Sequence, residues 1–199
     1  MMKRKYLSGE EVRSLLLTIS RDMVSYRDYC MVSMAFLHGL RVSELTGLKV
    51  TDYDLLSKTI HIRRLKGGLS TSHPLLPEES LALERWMVER KTYSGHCSPW
   101  LFLSRQGDRL SRQRFYQLLR EYGQRARLPL PIHPHMLRHA CGFNLAELGN
   151  DTRLIQDYLG HRNIRHTVLY TATNAARFNG AWTKGSDGIA ISPVAFNEY

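Results

Sequence analysis

Cysteine is scarce in this chain. Three residues among 199 (Cys30, Cys97 and Cys141) are too few and too scattered for a disulfide framework or a zinc knuckle, so reduced thiols are expected. Long apolar runs are missing as well. The longest, Tyr29 to Leu37 interrupted by Ser33, is about half of a membrane span. Met1-Met2-Lys3-Arg4-Lys5 has a basic start, but acidic and amphipathic sequence follows where an apolar leader core would stand, so no secretory leader is expected. There is no internal repeat. Acidic residues are also short: 18 Asp and Glu stand against 28 Lys and Arg, a formal charge of +10. Twenty-one of the basic residues are Arg, whose planar fork holds phosphate oxygens in fixed geometry. A polyanionic partner is the natural inference, nucleic acid first, although charge alone suits a merely basic protein equally well.

With 43% hydrophobic residues the chain can build a core, and its pattern is mostly helical. Ser8 and Glu11 form a capping box ahead of Val12, Leu15, Leu16 and Ile19. A core helix is predicted from about Tyr26 to Leu37 and a short one from about Val42 to Leu48. The period then changes. Thr59 to Arg64 alternates, Lys66-Gly67-Gly68 turns, and Leu69 to Leu76 returns, which predicts a small antiparallel sheet. Pro77 opens a further helix, and Ser111 caps an Arg-rich one running to about Arg127. Pro134 starts the next, which continues to Gly149. Asp151 or Thr152 caps a short helix ending at Leu159-Gly160, and a last segment leads to Tyr170. The expected fold is therefore α+β, mostly helical, with one domain over 1–183 and a C-terminal tail over 184–199.

Charge is concentrated in one place. Between Ser104 and Leu128 lie seven arginines (Arg105, Arg109, Arg112, Arg114, Arg120, Arg125 and Arg127) and only two acids. Such a stretch fits a DNA- and phosphate-facing surface.

Single candidates for chemistry are weak. Arg41 precedes a helix beginning Ser43-Glu44-Leu45 and fits a surface ion pair. His135 and Arg138 share a helix face, which suits either a common ligand or solvent. His161 suits a helix cap, and Tyr170 is one of ten tyrosines. His133, His135, His139 and His161 raise the idea of zinc, but no His-Glu-x-x-His or completing Cys or carboxylate accompanies them, so no metal is expected.

Their order is more telling. Gly39-Leu40-Arg41-Val42-Ser43-Glu44-Leu45, then Lys66 beside a glycine turn, then His135-Met136-Leu137-Arg138-His139, then Leu159-Gly160-His161, then Tyr170, resembles the tyrosine recombinase (phage integrase) family over about Ser8 to Thr173. It is most similar there to the short invertases that switch fimbrial genes in enteric bacteria, which lack a separate core-binding domain. The resemblance implies a cytoplasmic, nucleoid-associated enzyme that breaks and rejoins DNA without cofactor, metal or ATP. Tyr170 would be the nucleophile, forming a 3′-phosphotyrosyl bond. Arg41 and Arg138 would clamp the phosphate, His161 would donate to it, Lys66 would protonate the leaving oxygen, and His135 would act near the Tyr170 hydroxyl. Glu44 would support its neighbours. The partners implied are double-stranded DNA with inverted-repeat sites and a homotetramer on paired sites. Phe178 and Trp182, on an apolar face of the segment after the nucleophile, would dock one protomer on another. Promoter inversion is the reaction implied, with integration or excision of a mobile element, or a non-catalytic DNA-binding regulator, as alternatives. The enzymatic reading further expects the six groups to meet around one phosphate, with Arg41 and Arg138 on a common face and the Tyr170 side chain outside the packed interior.

Overall fold

Caps decide where most helices begin. Ser8 and Glu11 exchange hydrogen bonds (Ser8 N to Glu11 Oε2, 2.8 Å; Glu11 N to Ser8 Oγ, 3.3 Å) and start α1, Gly9–Arg21. Ser25 accepts from Arg27 N at the head of α2, Tyr26–Leu37, and Ser111 accepts from Arg114 N at the head of α5, Arg112–Arg125. Prolines open α4, Pro77–Arg90, and α6, Pro134–Glu147, where a missing N–H costs nothing. Asp151 caps α7, Thr152–Leu159, through Arg153 N and Leu154 N; Gly160, with φ of 63°, ends it in the left-handed region. Two short helices complete the set: α3, Val42–Leu45, and α8, Arg165–Ala172. The computed structural model describes residues 6–21, 25–65 and 68–172.

A three-stranded antiparallel sheet stands between α3 and α4: β1, Tyr53–Asp54, pairs β2, Thr59–Ile62, which pairs β3, Thr71–Pro74. The strands are shorter than the alternation suggests, and α3 stops at Leu45 rather than Leu48. After Leu45 the chain turns, with Gly47 N bonded to Glu44 O, and continues as a loop toward the sheet. The α+β architecture, mostly helical with this small sheet, is as the sequence predicts.

The centre is α2, buried on most sides and packed on α1, α4 and α6. A continuous core runs from Leu15 and Ile19 through Met31 and Met34 to Leu83, Trp86 and Phe102. A second, smaller cluster joins Cys141, Ile155, Leu159 and Tyr170 beneath α6, α7 and α8. Burial raises the Cys141 thiol to about 12, so it stays uncharged there. The two clusters meet at the C-terminal end of α2, where Tyr158 Oη donates to Leu37 O at 2.9 Å. That junction is where the candidate site forms. Lys66, the boundary at 183/184, Phe178 and Trp182 lie outside the described residues. Among the described residues no helix is long and apolar enough to cross a membrane.

Candidate functional site

Glu44 is the hub. Its carboxylate accepts from Arg41 N (2.9 Å), Arg41 Nη1 (2.7 Å), Arg64 Nη1 (3.1 Å) and Leu65 N (3.1 Å), and lies 3.9 Å from Arg138 Nη1. Burial pushes its pKa up, but the two Arg41 bonds, the Arg64 charge and the Leu65 amide outweigh that and hold it below the ordinary value. Arg41 and Arg138 therefore share one carboxylate and one face, as the sequence reading requires.

Arg41 caps α3 and its side chain is 23% exposed, so its guanidinium reaches solvent. Arg138 is buried on α6. One of its nitrogens donates to the Gly39 carbonyl and the other to Leu159 O at 2.7 Å, ties that hold the fork between the end of α2 and the end of α7. Burial, followed by the charges of Arg41 and Arg64, lowers its pKa to about 10, which leaves it cationic at neutral pH. Three guanidiniums around one carboxylate leave a surplus of positive charge.

His161 follows the Gly160 turn and contacts Thr167 Oγ1 through Nδ1 at 2.9 Å. Burial lowers its pKa to about 3, helped by the charges of Arg138, Arg41, His166 and Arg64, so the ring is neutral at pH 7. The Thr167 contact anchors the ring through Nδ1 and leaves Nε2 as the nitrogen available to a ligand. Arg41 and His161 line an open basin of about 760 Å³ together with Arg153 and Arg162. A larger concavity, about 1220 Å³ between α1 and α4, is mostly apolar and contains none of these groups, so size does not locate the chemistry.

Two expectations need correction. Tyr170 is 2% exposed, inside the second core cluster and not outside the packed interior. The physical cause is Gly142: α8 lies on α6, and the ring fills the notch that the glycine leaves, where a Cβ would come within 2.6 Å of the ring. Phe143 packs edge-on at 5.1 Å, and burial raises the Tyr170 pKa. The tyrosine is near the arginines, since the Arg138 charge opposes that rise, but its hydroxyl is turned into protein. The second correction concerns its partner. The Tyr170 hydroxyl lies 3.0 Å from His139 Nδ1, whereas His135 is exposed in the first turn of α6. His139 is one place past Arg138, and its neighbouring position was a signal the sequence carried; a spacing of three or four on a helix does not say which histidine meets a residue from another helix.

Arg64 is the residue sequence reasoning missed. Its side chain is 0% exposed and bonds Glu44, His38 O and Tyr158 O. Elsewhere Arg105, Arg112, Arg114, Arg120, Arg125 and Arg127 are exposed on and around α5. Arg109 is exposed as well but tethered, with Nε donating to Thr46 O at 2.7 Å and its guanidinium 4.6 Å from the Trp100 ring centre. Among the described residues no group of three His, Cys, Asp or Glu is placed to hold a metal ion.

Residues 5–177 match the phage integrase family. The chain is 53% identical over 182 residues to the type 1 fimbriae regulatory protein FimB of Escherichia coli (strain K12), covering 92% of this chain and 91% of that protein. It is 52% identical over 187 residues to the type 1 fimbriae regulatory protein FimE of the same strain, covering 94% of each. Among solved structures, the XerH site-specific recombinase bound to a palindromic difH substrate, a post-cleavage complex, superimposes with a TM-score of 0.76 at 26% identity, over 88% of this chain and 52% of that one.

Proposed function

The chain belongs to the phage integrase family, the tyrosine recombinases, and from that premise we propose that it cleaves and rejoins DNA at inverted-repeat sites through a covalent bond from Tyr170 to a 3′-phosphate. The observation that carries the residue assignment is the sharing of Glu44 by Arg41 and Arg138 at the edge of a basin that His161 also lines. Family membership does not rest on the placement of Tyr170, so its burial bears on the state of the site and not on the class of reaction.

The chemistry follows from charge. A phosphodiester carries one negative charge; attack by the Tyr170 oxygen adds a second to the non-bridging oxygens. Arg41 and Arg138 are donors fixed in advance, so they stabilise the pentavalent state more than the ground state, and His161 joins them when its Nε2 carries the proton. The hydroxyl proton passes to a histidine: His135 in the resemblance, His139 in the arrangement seen here. The bond from phosphorus to the 5′-oxygen breaks, and Lys66 protonates that oxygen, a poor leaving group without an acid. The phosphotyrosyl bond stores the phosphodiester energy, so rejoining to a new 5′-hydroxyl needs no ATP. To react, Tyr170 leaves the Gly142 notch, and α8 is the element that moves. Four protomers on two paired sites, docked through the segment bearing Phe178 and Trp182, then exchange strands and invert the intervening promoter, as the likeness to the fimbrial regulators suggests. The place of action would be the nucleoid in the cytoplasm.

A nicked suicide duplex carrying an inverted-repeat site tests this. In EDTA, wild type should give a 3′-linked covalent adduct on a denaturing gel and Tyr170→Phe should give none. An adduct surviving in Tyr170→Phe would move the nucleophile elsewhere; inversion of a plasmid segment between two such sites would separate invertase from integrase.

A further inference from the structure

Arg64 occupies a position that the proposed reaction leaves unused. It stands in the β2–β3 connection, two residues past β2, and its side chain passes through the gap beside Gly160, where a Cβ would lie 2.7 Å from Arg64 Cγ. One arm donates to Glu44 Oε2; the other donates to Tyr158 O at 2.6 Å and His38 O at 3.0 Å. Its Nε is buried without a hydrogen-bond partner among the described residues. An ionised side chain with an unpaired buried N–H is costly to keep, and a surface ion pair would not need it.

Two consequences follow from the geometry. Glu44 is held from both sides, so its carboxylate cannot swing fully onto Arg41 and Arg138 and draw them from a phosphate. The charges also add up differently: the three guanidiniums around the Glu44 carboxylate leave a net charge of two, which offsets the charge that develops on the non-bridging oxygens. Without Arg64 the net charge around Glu44 falls to one, so less of the developing charge is offset. We propose that Arg64 is a positioning residue that acts through Glu44, fixing the carboxylate and supplying the charge that matches Arg41 and Arg138 to the transition state. This rests on the recombinase reading above.

The effect should therefore appear in rate and not in affinity. The full chain and its Arg64→Met and Arg64→Lys variants would be compared in single-turnover cleavage of suicide duplexes, with DNA affinity followed by fluorescence anisotropy. One duplex has the natural 5′-oxygen and the other a 5′-bridging sulfur, a leaving group that needs no protonation. Arg64→Met should cleave about 10- to 100-fold more slowly with affinity within about threefold of wild type, the usual scale for losing an orienting partner. Arg64→Lys, which restores charge but not the fork, should recover part of the rate. Sulfur should restore Lys66→Ala and leave Arg64→Met slow. Wild-type cleavage by Arg64→Met, a loss matched by affinity, or rescue by sulfur would each overturn the assignment. If Arg64→Met does not melt cooperatively, Arg64→Lys decides, and a wild-type rate in it would overturn the assignment. Failure of the wild-type chain to form any adduct would instead bring down the recombinase reading itself.

Discussion

Arg138 and Gly142 lie one helical turn apart on α6 and do opposite things to the nucleophile. Arg138 is fixed by two backbone carbonyls before any DNA arrives, so its orientation costs nothing at the moment of reaction. Replacing it with alanine should leave DNA binding nearly unchanged and slow cleavage by roughly a hundredfold, about 3 kcal/mol of lost transition-state stabilisation. Adduct yield against time, read beside a gel-shift titration, checks this; lost binding with normal cleavage per bound complex would make its role positional only. Gly142 instead makes room for the sequestered ring. Gly142→Ala places a methyl where the Tyr170 ring sits, and overpacking of this kind costs about 1–3 kcal/mol. Its melting temperature should fall and amide exchange in α8 should speed up. An unchanged melt with unchanged exchange would mean that the ring is not held in the notch. Neither the burial of Tyr170 nor that of Arg64 was legible in the sequence. A tyrosine among ten and an arginine among 21 look like surface residues until Gly142 and Gly160, far away in the chain, are seen to leave space for them.

The β2–β3 hairpin shows the same division at the scale of an element. Its alternation was readable, as were the Ser8, Ser111 and Asp151 caps, because these are local devices in which one residue satisfies backbone groups a few places away. A hairpin and a three-stranded sheet suit the sequence equally, and the two residues of β1 carry no period that would place the third strand. What anchors the hairpin was also hidden. His73 on β3 meets His38 Nδ1 at 3.2 Å, stacks on Tyr158 with ring centres 4.0 Å apart, and accepts or donates at Thr71 Oγ1. His38 in turn contacts Glu79 at 2.8 Å. Burial lowers the His73 pKa from 6.5 to about 3, with the His38 and Arg64 charges adding to it. The sign follows directly. Below pH 6.5 the unfolded chain takes up a proton that folded His73 refuses, so stability is full above that value and is lost as pH falls from 6.5 toward about 3. His161 contributes in the same direction over the same window. Urea unfolding midpoints measured across this range should fall steadily for wild type. In His73→Gln the fall should be shallower by up to one proton's worth of slope, leaving the share due to His161, His133 and the depressed carboxyls of Glu44 and Asp54. Equal slopes in the two proteins would mean that His73 takes up its proton while folded.

Across the whole molecule the surplus is ten positive charges, and among the described residues part of it stands at the basin and part on α5. Arg153 and Arg162 rim the basin beside Arg41, and α5, packed against α3, carries exposed Arg112, Arg114 and Arg120, with Arg114 paired to Glu121 at 3.3 Å. Composition made a polyanion the expected partner; it did not say which arginines face outward together, because Arg27, Arg64, Arg90 and Arg138 are buried and serve the protein's own carbonyls and carboxylates. If α5 tracks the DNA backbone, each of its phosphate contacts releases condensed counterions, and the logarithm of the binding constant falls with the logarithm of salt by about 0.9 per contact. Replacing Arg112, Arg114 and Arg120 together with glutamine should then reduce that slope by up to about 2.7 and weaken binding to unrelated DNA as much as to an inverted-repeat site. Arg109→Gln makes the contrasting case: its guanidinium is held by Thr46 and Trp100, so the change should lower stability and leave the salt slope alone. Anisotropy titrations over a range of potassium chloride concentrations separate the two. A triple variant with the wild-type slope would take α5 off the DNA and leave the basin arginines to carry the contact.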